Sequence, residues 1–151
     1  MTSQDKVVDI SLSAEQLLPK YCYWVDKINN NNKGDHKSII KAISQLFTDD
    51  ISFKILQEET SEETSFPDDI AWLNYSIDTL AQFSTNLHTL STPILTEAED
   101  SLHFEYPVQS IHKNSLQHLT ITANYHAKIK KTNNQWLISD LKLIIKNIES
   151  C

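Results

Sequence analysis

The chain has 151 residues, 40% of them hydrophobic, and a formal net charge of -7, which fits one globular domain with a core of its own. All thirteen basic residues are lysines, and a nucleic-acid binder needs a basic footprint and reads bases chiefly through arginine, so the composition speaks against DNA and RNA and against an arginine phosphate clamp. With a single glycine, Gly34, no dinucleotide fingerprint, phosphate-cradling loop or Gly-x-Ser-x-Gly nucleophile elbow can be present.

The N-terminal residues Met1 to Leu12 read as a tail, with Val7, Val8, Ile10 and Leu12 able to pack on the body, and residues 13–148 as one domain without internal repeats. The start has no basic stretch followed by an apolar run, and no apolar segment reaches membrane-spanning length. Cys22 and Cys151 form neither a disulfide framework nor a zinc pattern. A reducing, cytoplasmic location with no membrane partner is the expectation.

Ser13-Ala14-Glu15-Gln16 has the form of a capping box, and Leu17, Leu18, Tyr21, Val25 and Ile28 recur behind it at helical spacing. Pro19 either kinks this helix or lies in its first turn. After a polar loop over Asn29 to Gly34, Asp35 can cap a second helix with the stripe Ile39, Ile40, Ile43, Leu46 and Phe47. Ile51, Phe53 and Ile55 alternate as a short strand. Gln57 to Ser65 carries Glu58, Glu59, Glu62 and Glu63 and reads as a solvated loop, since crowded carboxylates without a turn glycine make a poor cation site.

Asp68 or Asp69 can cap a third helix whose buried stripe is Ile70, Leu73, Ile77 and Leu80, widened by Trp72 and Phe83. Beyond Ser84 the period becomes strand-like. Leu87 to Leu95 and Leu102 to Ile111 read as strands, and Leu116 to Lys146 as one long hairpin. In its first arm Leu119, Ile121, Ala123, Tyr125, Ala127 and Ile129 alternate with polar residues, and Asn133-Asn134 suits a turn that demands positive φ. A lone hairpin is marginal in water, so the helices must cover it. The fold class is α+β.

Three stretches carry a resemblance: Leu46 to Phe53 at the helix-to-strand junction, Leu87-His88-Thr89-Leu90 at a strand start, and Tyr125 to Ile138 with its tryptophan after the turn. In that order they resemble the nuclear-transport-factor-2-like superfamily, which includes SnoaL-like cyclases, scytalone dehydratase and ketosteroid isomerase. The resemblance implies a cone in which a curved antiparallel sheet wraps three N-terminal helices and leaves a pocket at the mouth. It also implies a homodimer, here through the outer sheet face with Thr120, Thr122 and Asn124.

The resemblance further implies positions for chemistry. The isomerase base falls at Ile55, which cannot move a proton, and the aspartate of the closing hairpin falls at Ala127. The isomerase tyrosine has a match in Tyr21. The two dehydratase histidines match His88 and His112, while their acidic partner would lie near Ile28-Asn29, where the nearest acid is Asp26. His103, Glu105, His112, His118 and His126 have no recognisable ligand spacing, so neither a metal nor a cofactor is expected.

Two main functional readings follow. The first is a non-catalytic module holding a small apolar molecule in a pocket lined by Tyr21, Val25, Phe53, Ile55, His88, Phe104, Tyr106, Val108, His112 and Tyr125. On that reading His88 has no carboxylate partner. The second is a lyase or isomerase that moves a proton with His88, Tyr21 and Asp26. A third is a protein-interaction domain whose pocket is filled by side chains. A proton-transfer site requires polar groups converging within one cavity; a binder requires only shape and one or two donors.

Overall fold

The computed structural model describes residues 12–150; most of the expected tail, and Cys151, lie outside the described residues. Helix α1 spans Ala14–Val25, with Ser13 extended before it and donating its backbone N–H to Gln16 Oε1 at 2.9 Å. Pro19 stands inside this helix and has no N–H to offer the Glu15 carbonyl. That carbonyl instead accepts the Tyr106 hydroxyl at 3.3 Å, so the proline frees a helix oxygen to bond the sheet.

Helix α2 spans His36–Ser44 and buries Ile39 and Ile43. Helix α3 spans Asp69–Leu80, and the Asp68 carboxylate caps it by accepting from the Ala71 N–H at 2.9 Å. Its buried face is Trp72, Leu73, Ser76 and Leu80. Ile70, expected in the stripe, is 64% exposed: the large Trp72 ring wins the core side and turns the helix.

The sheet has seven strands: β1 Phe47–Gln57, β2 Glu62–Phe66, β3 Thr85–Leu90, β4 Ile94–Glu97, β5 Ser101–Lys113, β6 His118–Thr132 and β7 Gln135–Ser150. Their order is β2-β1-β7-β6-β5-β3, with β4 continuing the β3 edge along β5. The α+β cone is as expected from the sequence. Every neighbouring pair is antiparallel except β1 and β7, which run parallel and make the sheet mixed. Asn133 and Asn134 have φ of 52° and 62°, the left-handed pair that a two-residue hairpin turn needs. Register shifts between Thr122 and Ala123, and between Lys128 and Ile129, mark irregularities of the kind that bend a sheet.

Leu46 and Phe47, expected on the second helix, lie beyond its end at Ser44, and Phe47 opens β1. Two further segments differ from the sequence reading. Gln57 to Ser65 is no solvated loop: Glu62–Phe66 pairs with β1, and the turn into it passes through Ser61 at φ 60°. The strand hides itself because it is exposed on both faces save for Phe66, so it shows no apolar alternation. Its Glu63 lies 3.9 Å from Lys54 and 3.2 Å from Lys142, giving the acidic run partners on the sheet. The strand expected over Leu87 to Leu95 is two, broken at Ser91-Thr92-Pro93 where proline has no N–H for a ladder.

The core lies between the helices and the inner sheet face. Phe53 stacks on Trp72 at 4.9 Å and 7°, Phe47 meets Phe53 at 5.1 Å, and Phe66 meets Trp72 at 5.1 Å. These aromatic contacts join α3, β1 and β2 at one side. On the other side α1 closes against β3, and between the two a cavity is left.

Candidate functional site

The cavity measures about 290 Å³. Val25 of α1, Leu80 of α3, Ile55 of β1, Val108 of β5, and Leu119 and Ile121 of β6 give it an apolar wall. Its polar side chains are Tyr21, Gln57, Trp72, Tyr75, Ser76, Thr79, His88, Ser110, His112 and Tyr125. Among the described residues, no lysine, aspartate or glutamate lines it.

His88 sits in mid-β3 on the inner face. Its Nδ1 lies 2.6 Å from Asp26 Oδ1, and its backbone N–H donates to both carboxylate oxygens at 3.0 and 3.1 Å. Asp26 occupies the C-cap of α1 and contacts β3 from there. Both side chains are largely covered, at 10% and 20% exposure. An ionised carboxylate only accepts, so the neutral imidazole carries its proton on Nδ1 and keeps a lone pair on Nε2. Nε2 has no partner among the described residues, and the ring lines the cavity. The expectation that His88 stands without a carboxylate partner is therefore wrong. Asp26 reaches it because α1 ends directly over β3.

A second imidazole is held differently. Asn86 and His112 are directly opposed on β3 and β5, as are His88 and Ser110. Asn86 Nδ2 donates to the carbonyls of Ile28 at 2.6 Å and Leu80 at 3.0 Å. Its Oδ1 therefore faces His112 Nδ1, at 2.7 Å, as an acceptor. His112 must carry its proton on Nδ1, which leaves Nε2 to accept from the Ser110 hydroxyl at 2.9 Å. Burial, and then the nearby His88, push the His112 pKa down from 6.5 to about 4, and Asp26 opposes this only in part. The two rings meet edge to face at 5.6 Å.

The Tyr21 hydroxyl accepts the Trp72 indole N–H at 2.9 Å, so its own proton is left to donate elsewhere. Tyr125 meets it edge to face at 6.1 Å. Burial pushes both phenols above their usual range, so each keeps its proton at neutral pH.

Of the residues expected at the pocket, Tyr21, Val25, Ile55, His88, Val108, His112 and Tyr125 line this cavity. Phe53, Phe104 and Tyr106 do not. The Phe53 ring is covered by Trp72, Phe104 stacks on Tyr106 at 5.8 Å, and the Tyr106 hydroxyl is drawn to the Glu15 carbonyl. Tyr106 instead lines an outer cleft of about 560 Å³ with Cys22, Asp26 and the other side of His88. His126 lies on the outer face, 2.9 Å from Glu105. Asn86 and Trp72 were not singled out from the sequence as site residues. The signal for Asn86 was available: it sits two residues before His88, so both point to the same side of β3.

No family model matches the chain, and no curated protein matches it in sequence. Solved structures do. A hexachlorocyclohexane dehydrochlorinase of type 2 is 15% identical over 99% of this chain and 93% of its own, with a TM-score of 0.70. A scytalone dehydratase candidate from Novosphingobium aromaticivorans DSM 12444 is 16% identical over 99% and 91%, with a TM-score of 0.68. The fold is the nuclear-transport-factor-2-like cone. This cone also matches the β subunit of a candidate aromatic-ring-hydroxylating dioxygenase from the same organism, 11% identical over 88% and 86%, with a TM-score of 0.67. These likenesses show the fold alone.

His112 generates a pH prediction. Its folded pKa lies below its unfolded one, so the folded state binds fewer protons as acid is added. The stability it contributes is complete above pH 6.5 and is lost as pH falls through about 4. The urea midpoint of the wild type should fall over that window more steeply than that of His112→Gln. Equal slopes would show that His112 is not buried as a neutral ring.

Proposed function

We propose that the chain is a lyase or isomerase that removes a proton from a small, uncharged, mainly apolar molecule, with His88 as general base. One observation carries this reading: the 2.6 Å contact between Asp26 and His88 Nδ1 at the wall of an apolar cavity. A general base needs a lone pair aimed at the substrate and a neighbour that sets its tautomer and stabilises the imidazolium. Asp26 meets the second need, and Nε2 the first. A cavity with neither lysine nor carboxylate among its described lining residues suits an uncharged ligand. Tyr21, with its oxygen engaged by Trp72, has a phenolic proton to place on oxygen charge that develops as the proton leaves.

The reading is testable before a natural substrate is known. Small neutral ketones such as 1-tetralone should exchange the hydrogens beside their carbonyl for deuterium faster with the protein than without it. His88→Gln should lose that acceleration, and Asp26→Asn should reduce it by about 10²–10⁴-fold, the range for acid–base groups. A wild-type protein that binds 1-tetralone and exchanges nothing would favour the non-catalytic binding module.

We also propose a homodimer through the outer sheet face. Leu87, Ile111 and Thr120 are laterally paired there, as are Thr89, Gln109 and Thr122, and Leu87 is 48% exposed. Short side chains allow two such faces to approach closely. Light scattering at high micromolar concentration should give twice the chain mass; a monomer there would contradict the proposal.

A further inference from the structure

We propose that the ligand carries a hydroxyl group, and that Ser110 recognises it by accepting its proton in a hydrogen bond. This rests on the reading of the cavity as a small-molecule site, and it follows from counting donors and acceptors along one buried chain. Asn86 spends both amide hydrogens on the Ile28 and Leu80 carbonyls. Its oxygen can then only accept, which fixes the His112 proton on Nδ1. His112 Nε2 can then only accept, which fixes the Ser110 proton toward the imidazole. All three side chains are buried, at 5%, 4% and 5% exposure, where hydrogen bonds are stronger than in bulk water.

A serine hydroxyl has one donor and two lone pairs. With its donor committed to His112, Ser110 faces the cavity as an acceptor alone. It discriminates for a ligand O–H or N–H and offers nothing to a bare carbonyl or hydrocarbon. Hydroxyl is a better match than ammonium, because the described lining residues include no carboxylate to hold a cation. Ser110 is directly opposed to His88 across the β3–β5 ladder, so a hydroxyl held there stands beside the base. His112 and Asn86 act through Ser110 as positioning residues.

The test compares 1-tetralol, 1-tetralone and tetralin by titration calorimetry. Wild type should bind 1-tetralol more tightly than tetralin, and Ser110→Ala should weaken 1-tetralol by roughly two- to tenfold, the range one hydrogen bond supplies. Binding of 1-tetralone and tetralin should not change. Ser110→Thr, which keeps the hydroxyl, should keep the preference. Should Ser110→Ala not fold, Ser110→Cys, with a weakly accepting thiol, carries the same test. Equal losses for all three probes, no loss for any, or a wild type without preference for the alcohol would each overturn the proposal. Deuterium exchange separates the two readings: its failure in wild type with the Ser110-dependent preference intact would sink the base and leave this recognition standing.

Discussion

The end of α1 is clasped to β3, and the candidate site depends on that clasp. Asp26 accepts the His88 backbone N–H and meets its ring, while two residues further on the Ile28 carbonyl accepts from Asn86. Alternate residues of one strand thus hold consecutive turns at the helix exit. The same amide of Asn86 takes the Leu80 carbonyl at the end of α3. Three elements that must converge for a cone to close are joined by groups that also set two imidazoles. Truncating Asn86 would leave the Ile28 carbonyl and one imidazole N–H without their partner, while Leu80 keeps the Phe83 N–H, and each orphaned group costs about 1–3 kcal/mol.

The polar and apolar parts of the cavity are separated by the same economy. Imidazole, phenol and hydroxyl groups are kept in an apolar enclosure only where partners satisfy them. Trp72 does this for Tyr21, Asp26 for His88, and Asn86 for His112. What is left unspent after that pairing is offered to a ligand: chiefly the Nε2 lone pair of His88, the Tyr21 proton, the Tyr125 hydroxyl and the Ser110 lone pairs. The two histidines differ by environment. Asp26 gives His88 a counter-charge for a proton it gains, whereas His112 has only neutral hydrogen-bond partners and is pushed toward the neutral form.

Much of this architecture was legible in the residues. The alternation from Leu119 to Ile129 gave β6 its inner face, and Asn133-Asn134 gave its turn, because both signals are local. Tyr21, His88 and His112 were found through resemblance and strand parity. The sequence leaves the Asp26–His88 contact to one of two readings, because helix register does not say where a helix exit lands on a sheet; the residues are 62 apart in sequence. Strand β2 was missed because an exposed edge strand has no apolar period. The parallel pairing of β1 with β7 follows from chain crossing and leaves no local trace. Phe53, Phe104 and Tyr106 had the right parity, but neighbouring rings or a helix carbonyl claimed them first.

The central claim is that both cavity imidazoles, when neutral, carry the proton on Nδ1 and keep Nε2 as an acceptor. Long-range ¹H–¹⁵N NMR of histidine-labelled protein reads this directly, because protonated and unprotonated ring nitrogens resonate far apart. His88 and His112, assigned through His88→Gln and His112→Gln, should both show the Nδ1–H tautomer. An Nε2–H signal for His88 would mean that Asp26 does not set its proton, and would contradict the account.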